Sequence, residues 1–197
     1  MKKQISLAQY RNMDLVFLCV IMVITQTLIS VAGNVWFADV AKPYVASPIA
    51  AVVALVMMRW NGWAALHAVL GGVLYAFLQG GTWEHYLIYG CGNLLCVDAL
   101  LMFKLFDKEY IRKNAVISLL YAFCVQILMQ VGRALVALAL GYPLAASVVF
   151  ISTDALSLLL TVVAIWCVRR IEGLFEDQIH YLLRVESERQ VEGRDQF

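Results

Sequence analysis

Three polar side chains within one long apolar run of the sequence could do chemistry. Gln126, Gln130 and Arg133 follow one another at intervals of four and three residues, which places them on one face of a helix. An unpaired guanidinium at membrane depth costs about 2.5–3.5 kcal/mol on insertion scales, so Arg133 is expected to have a partner. Two acidic residues in neighbouring apolar runs, Asp98 and Asp154, are the candidates.

Depth in the membrane favours Asp154 over Asp98. Arg133 precedes the outer end of its run, Leu140, by seven residues, and Asp154 follows Pro143, where the chain re-enters the membrane, by eleven. Asp98 lies in the opposite half of its run. Two interpretations of an Arg133–Asp154 pair stay open. It is a structural link between two helices, or Arg133 faces an outward-opening pocket and binds an anionic or hydrogen-bonding group of a solute.

The loops expected on the outer side are short and rich in aromatic residues. Trp36 lies in the first of them, and Trp83 and Tyr86 lie in the second. Asn93 follows Tyr86 by seven residues, deeper in the predicted membrane helix. The aromatic belt of membrane proteins explains any one of these residues. Together with the polar face, however, they suggest a pocket for a planar polar molecule, with stacking from above and polar groups from within. The predicted substrate-binding residues are Trp36, Trp83, Tyr86, Asn93, Gln126, Gln130, Arg133 and Asp154.

Signatures of catalysis and of metal binding are missing from the sequence. It contains no Ser/His/Asp order, no P-loop and no carboxylate pair in an extramembrane loop, which argues against an enzyme. The five cysteines include no C-x-x-C pair, and His67 has no carboxylate at metal-ligand spacing. We therefore expect no catalytic residue, no bound metal and no cofactor, and we interpret His67 as packed at a helix interface.

Composition identifies the bilayer as the solvent in which these residues fold. The 197 residues are 62% hydrophobic and only 15% charged, with a mean hydropathy of +0.78. Each of six apolar runs is near the roughly 20 residues that cross a hydrocarbon core. We predict an all-α bundle of six transmembrane helices, at residues 13–33, 44–60, 61–80, 84–106, 114–140 and 143–168.

The distribution of positive charge predicts the orientation of the bundle. If the N-terminus is cytoplasmic, thirteen Lys and Arg residues fall inside, Lys42 falls outside and Arg133 lies within the membrane. Five or seven helices would put one of the basic clusters on the wrong side. The positive-inside rule therefore predicts a multi-pass protein of the cell membrane with both termini in the cytoplasm. The net charge of +1 gives no indication of a nucleic-acid partner.

The sequence changes character after Arg170, where charged residues intervene between apolar ones. The apolar residues recur at helical spacing; they are Ile171, Leu174, Phe175, Leu182 and Leu183. We predict a transmembrane domain over residues 1–170 and a cytoplasmic amphipathic tail over 171–197. The tail is either a surface helix lying on the protein or the membrane, or a docking helix for a cytoplasmic partner.

Small residues recur at every fourth position in the second and third runs. They are Ala46, Ala50 and Ala54, then Ala64, Ala68, Gly72 and Ala76. Such stripes let helix backbones approach closely. They serve packing within a helical hairpin, or one of them is a face for a partner membrane protein.

These features together resemble the substrate-binding S components of energy-coupling factor (ECF) transporters. The resemblance covers residues 13–170 and rests on size, inside termini, the Met-Arg-Trp-Asn-Gly turn at 58–62, the glycines Gly71 and Gly72, and the aromatic outer loops. In that family a small polytopic protein captures a vitamin, a related micronutrient or a metal ion. It then associates with a transmembrane coupling protein and two ATPases.

The resemblance implies a transport subunit for a small organic micronutrient. By the resemblance the solute contacts are Trp36, Trp83, Tyr86, Asn93, Gln126 and Arg133, and the small-residue stripes meet the coupling protein. The Ala-x-x-x-Ala motif that family members often carry in the first helix is absent from residues 16–30 of this chain. No cluster of His or carboxylate residues indicates a metal substrate.

Two further hypotheses come from other functional classes. The chain is a structural or scaffold membrane protein whose tail recruits a cytoplasmic partner, or an intramembrane enzyme that acts on lipids. The second of these is weaker because no catalytic constellation is visible.

Overall fold

The computed structural model describes residues 6–36, 46–152 and 154–194, and within these ranges the chain is all-helical. The α-helices, numbered in chain order, are α1 (Leu7–Trp36), α2 (Ile49–Trp60), α3 (Ala64–Leu78), α4 (Trp83–Gly92), α5 (Met102–Leu105), α6 (Lys108–Lys113), α7 (Ala115–Ala139), α8 (Leu144–Ser152), α9 (Ala155–Val168) and α10 (Gln178–Arg194). Two 3₁₀ segments, Asn61–Trp63 and Asn93–Leu101, join α2 to α3 and α4 to α5.

Several helical stretches are long and apolar enough to cross a membrane. In the described part of the chain there are five of them, namely Leu7–Val35, Ile49–Leu78, Trp83–Leu105, Ala115–Ala139 and Leu144–Val168. The prediction is confirmed to this extent: the described chain is all-helical, and several of its helices are long and apolar enough to cross a membrane. The stretches number five rather than six because the helical parts of the predicted runs 44–60 and 61–80 are joined in the single stretch Ile49–Leu78.

The stretch Ile49–Leu78 folds back on itself. Asn61 adopts a positive φ of 53° at the end of α2, and α2 then packs against α3. A Cβ atom on Gly71 would lie 2.6 Å from Cγ2 of Ile49, although the two residues are far apart along the chain. All 12 residues of α2 are buried. At 1.5 Å per residue α2 is about 18 Å long, so by itself it is shorter than a hydrocarbon core of about 30 Å.

The small-residue stripes of this hairpin are buried within the chain. Ala50, Ala54, Ala64, Ala68 and Ala76 are each at most 2% exposed. Internal packing, one of the two interpretations of the stripes, is therefore confirmed.

Two of the apolar runs are interrupted. After Gly92 the run that begins at Trp83 continues as a nine-residue 3₁₀ segment, whereas 3₁₀ runs longer than three or four residues are uncommon. The last run is divided into α8 and α9, and Asp154 precedes the first residue of α9. Irregular backbone is tolerated at membrane depth where it is buried in protein. Both interruptions place polar side chains beside α7.

The chain after Arg170 differs from the predicted tail helix. Residues 171–177 form turns, and α10 begins only at Gln178. Gly173 has a φ of +73°, and a Cβ atom there would lie 2.8 Å from the Tyr181 ring. A left-handed glycine of this kind ends helical structure locally. Phe175 and Gln178 are fully buried, so the turns pack into the bundle.

Many basic residues predicted to lie inside meet at one end of the bundle. We call it the basic end: the start of α1, the 3₁₀ turn Asn61–Trp63, α6 and residues 169–177. Lys108 pairs with Asp177 and Arg112 pairs with Glu176, each with an N–O distance of 2.6 Å. These pairs hold α6 against the turns that precede α10.

Candidate functional site

Arg133 of α7 and Asp154 form a buried ion pair. Nη1 of Arg133 lies 2.8 Å from Oδ2 of Asp154, and the two residues are 4% and 1% exposed. The choice of Asp154 as the partner is therefore confirmed. Asp98, the alternative, is exposed. Asp154 does not cap α9 with its side chain, so its carboxylate is directed to α7.

Three amide side chains surround this ion pair. Nε of Arg133 donates to Oδ1 of Asn93 at 2.7 Å, and Nε2 of Gln126 donates to Oδ2 of Asp154 at 2.8 Å. Nε2 of Gln130 donates over a longer 3.5 Å to the backbone oxygen of Asp154. We call these five residues, Asn93, Gln126, Gln130, Arg133 and Asp154, the polar cluster. All five belong to the predicted set of eight, and the structure brings them together.

A close backbone crossing holds two elements of the polar cluster in place. A Cβ atom on Gly132 would lie 2.0 Å from the carbonyl oxygen of Gly92, so a side chain cannot be accommodated there. The next residue in each segment is a member of the cluster, Asn93 or Arg133. Nδ2 of Asn93 also donates to the backbone oxygen of Ala68 in α3 at 3.0 Å. The crossing therefore joins the 3₁₀ segment, α7 and α3 at the cluster.

Two acceptor oxygens of the polar cluster receive no hydrogen bond from any described residue. Among the described residues nothing donates to Oε1 of Gln130 or to Oδ1 of Asp154, and both atoms are buried. Gln126 differs, because its Oε1 accepts a hydrogen bond from the Thr161 hydroxyl at 3.2 Å. A buried acceptor without a donor costs about 1–3 kcal/mol, and more when it is charged. The cluster can therefore accept hydrogen bonds from a group that binds beside it.

Aromatic rings flank the polar cluster. The Arg133 guanidinium lies over the Tyr89 ring, 4.9 Å from its centroid. Tyr89 also contacts Tyr75 and Phe150, with centroids 4.7 Å and 5.9 Å apart. None of these three rings was among the predicted substrate-binding residues. The signal for one of them was present, because Tyr89 precedes Asn93 by four residues and helical spacing places the two on one face.

The aromatic residues that were predicted to contact a solute are not joined to the polar cluster. Trp83, the first residue of α4, is 64% exposed, and Tyr86 is half-buried. No hydrogen bond, ion pair or ring contact between described residues links either of them to the cluster. Trp36 is the last residue of α1, and its side chain lies outside the described part of the structure. Their role in solute binding stays a prediction.

A second, largely buried ion pair lies at the basic end and was not predicted from the sequence. Nε and Nη2 of Arg59 donate to the two carboxylate oxygens of Asp14, each at 2.8 Å. Nη1 donates to the backbone oxygens of Gly173 and Leu174 at 2.7 and 2.9 Å. Such a two-pronged geometry is the strong form of an arginine–carboxylate pair. Arg59 had been counted only as a marker of orientation, and the 45-residue separation from Asp14 gives no local signal.

His67 occupies a helix interface, as predicted. It is buried, and its Nε2 lies 3.0 Å from the backbone oxygen of Leu15 in α1. In the part of the chain that the structure describes, no three His, Cys, Asp or Glu residues are grouped so that they could hold a metal ion.

Comparisons with known proteins add no family to this geometry. No protein-family model, no curated protein and no solved structure gives a match to the chain.

Proposed function

We propose that the chain is a membrane-embedded solute-binding subunit of a transporter, and that it captures a small organic molecule at the polar cluster. The observation that carries this proposal is the pair of buried acceptor oxygens without donors, on Gln130 and Asp154. Buried ion pairs that serve structure alone are stabilising only when their remaining lone pairs are satisfied. Buried polar atoms without partners call for an explanation such as a ligand.

The geometry narrows the chemistry of the solute. Asp154 already neutralises the charge of Arg133, so the cluster has little to offer a further negative charge. It offers instead two oxygens that accept hydrogen bonds. A neutral or cationic molecule with N–H donors, built on a planar ring that stacks beside Tyr89, fits both features. Among micronutrients, a vitamin with a nitrogen heterocycle has this chemistry.

The proposal includes an orientation. We infer six crossings with both termini in the cytoplasm of a cell-membrane protein, and α10 on the same side. The support is the thirteen-to-one distribution of basic residues together with the clustering of basic residues at one end. Arg133 follows the first residue of α7 by 18 positions, or about 27 Å of helix. Solute would then enter from the outer side of the membrane, at the end of α7 that is opposite the basic end.

Energy for transport has to come from elsewhere, because the sequence contains no P-loop. We propose separate partners, a transmembrane coupling protein with ATPase subunits, as in the transporters that the sequence resembles. The small-residue stripes are buried within the chain, so a coupling protein would contact another face. The exposed apolar side of α1, which includes Val16, Phe17 and Ile24, is such a face.

A thermal-shift screen tests the proposal. Purified protein in detergent is heated with a panel of vitamins and nitrogen heterocycles, and we expect at least one of them to raise the unfolding temperature. Binding to the native state alone raises stability by about 2.7 kcal/mol at a ligand concentration of 100 times Kd. The same ligand should not shift the Arg133→Ala variant. Silence across a broad panel, with uptake by Arg133→Ala cells unchanged, would contradict the proposal.

One observation favours the scaffold hypothesis as a second candidate. Ile179 and Leu183, four residues apart on α10, are 44% and 60% exposed. An exposed apolar pair of this kind could contact a cytoplasmic partner. If Leu183→Glu abolished function in cells while solute binding to the purified variant stayed intact, the scaffold role would be favoured.

A further inference from the structure

A cavity of about 550 Å³ lies at the basic end of the molecule, away from the polar cluster. Its walls come from the first turns of α1, the 3₁₀ turn Asn61–Trp63, the start of α3 and Ile179 of α10. A volume of this size is typical of pockets that hold small molecules. None of the residues of the polar cluster lines it, so it is a separate site.

Arg11 gives this cavity a positive charge that no described residue neutralises. Two arginines line the cavity, and Arg59 is fully engaged by Asp14 and backbone oxygens. Arg11 forms no ion pair among the described residues, and its buried Nε has no acceptor. Its guanidinium lies over the Trp63 ring, 4.4 Å from the centroid. No acidic side chain is among the lining residues, so the cavity lacks an anion.

The cavity also opens onto surfaces that would face lipid. Leu7 of α1 and Leu66 of α3 line the cavity and are 48% and 50% exposed, and Leu70, one turn beyond Leu66, is 42% exposed. Exposed apolar faces of this extent on membrane-spanning stretches contact acyl chains. Tryptophan and arginine at the end of such faces mark the level of the lipid headgroups. An occupant with an anionic head and apolar tails would match both parts of the cavity.

We propose that this cavity binds the phosphate-bearing headgroup of an anionic phospholipid, with the phosphate at Arg11 and the acyl chains beside Leu7 and along the exposed face of α3. Basic pockets between transmembrane helices on the cytoplasmic side are suited to such headgroups. Trp63 holds the guanidinium in place by a cation–π contact, and the guanidinium donates to the phosphate oxygens. The site requires a membrane-embedded chain but is independent of solute binding at the polar cluster.

Native mass spectrometry of the full chain in detergent tests this site. Palmitoyl-oleoyl phosphatidylglycerol is titrated against phosphatidylcholine with the same acyl chains. The variants are Arg11→Gln and the matched control Lys104→Gln, which removes one exposed positive charge near the same end, outside the cavity. We expect one tightly held phosphatidylglycerol on the wild type and on Lys104→Gln. Its affinity should fall about tenfold in Arg11→Gln, the equivalent of one charged hydrogen bond.

A second variant fills the cavity and leaves Arg11 in place. Gly62 lines the cavity, and a Cβ atom there would meet nothing within 4 Å, so Gly62→Phe is expected to fold and to exclude the lipid. This variant keeps the test decisive if Arg11→Gln does not fold. Equal binding of the two lipids, or equal retention of phosphatidylglycerol by Arg11→Gln and Lys104→Gln, would overturn the proposal. Binding of glycerol phosphate as tight as that of phosphatidylglycerol would overturn the lipid as occupant.

Discussion

Nη1 of Arg133 lies 2.8 Å from Oδ2 of Asp154, while the other carboxylate oxygen of Asp154 meets no donor among the described residues. Asp154 lies between α8 and α9, directly before the first residue of α9. Arg133 follows Gly132, where α7 crosses Gly92 closely. The pair therefore combines a structural link with unused hydrogen-bonding capacity. The two interpretations that the sequence left open are not exclusive.

Removing one partner of the Arg133–Asp154 ion pair should destabilise the bundle more than removing both partners. Asp154→Ala leaves the Arg133 guanidinium buried without its counter-charge, which is expected to cost about 3–5 kcal/mol. The double variant Arg133→Met, Asp154→Ala leaves no uncompensated charge and should recover part of that loss. Unfolding of the purified variants by heat in the same detergent measures both effects. A double variant less stable than the single one would contradict a simple ion pair.

The Gly92–Gly132 crossing should not tolerate a methyl group. In Gly132→Ala the added carbon meets the carbonyl oxygen of Gly92, and overpacking of this kind typically costs about 1–3 kcal/mol. Gly33→Ala is the control, because a Cβ atom on Gly33 in α1 would meet nothing within 4 Å. Thermal unfolding should show a lower midpoint for the first variant and no loss for the second. Equal midpoints would mean that the two backbones are not in contact.

The ion pair at the basic end should contribute far more to stability than the exposed pair on α6. Asp14→Ala leaves Arg59 and the Trp60 indole N–H without their acceptor, at an expected cost of about 3–5 kcal/mol. Glu109→Gln removes an exposed carboxylate that pairs with Lys113 at 2.7 Å and with Arg112 at 4.0 Å, and exposed pairs contribute about 0–1 kcal/mol. Denaturation of the two variants measures the difference. Similar stabilities would show that the Asp14 carboxylate is not buried against Arg59.

The turns that precede α10 should loosen in acid. Burial alone would raise the pKa of the Asp177 carboxyl, but the hydrogen bond and charge of Lys108 outweigh it and hold that pKa below its usual 3.8. A lowered carboxyl pKa contributes stability that is complete above pH 3.8 and is lost as the pH falls through the folded value. Hydrogen–deuterium exchange over residues 171–178 measures this. Lower protection from exchange, relative to the intrinsic rate at the same pH, is expected below pH 3.8 in the wild type and already at pH 7 in Asp177→Asn.

Local periodicity was sufficient to predict part of the polar cluster. Gln126, Gln130 and Arg133 could be placed on one face because they lie within a single uninterrupted helix, α7. Depth then identified Asp154 as the partner, since both positions can be counted from the ends of apolar runs. Asn93 was selected for its polarity at membrane depth.

The remaining features depend on contacts between distant parts of the chain. The 3₁₀ segment Asn93–Leu101 contains neither glycine nor proline, so nothing in its sequence marks the interruption. Trp83 lies in a segment whose composition is typical of a binding loop. Its exposure, however, is set by the tertiary packing around α4. The acceptors to which no described residue donates became visible only from the packing of the described elements around Gln130 and Asp154.

If the polar cluster binds a solute, Gln130 serves that ligand rather than the fold, and the variant Gln130→Met separates these two roles. Methionine has a similar length, and it removes both the buried oxygen to which no described residue donates and the long 3.5 Å hydrogen bond of Nε2, so stability should change little. The ligand found in the screen is titrated by calorimetry into the wild type, Gln130→Met and the control Leu135→Met, whose side chain on α7 is 54% exposed. We predict an affinity at least about tenfold weaker for Gln130→Met and an unchanged affinity for Leu135→Met. Unchanged affinity in both variants would contradict the account.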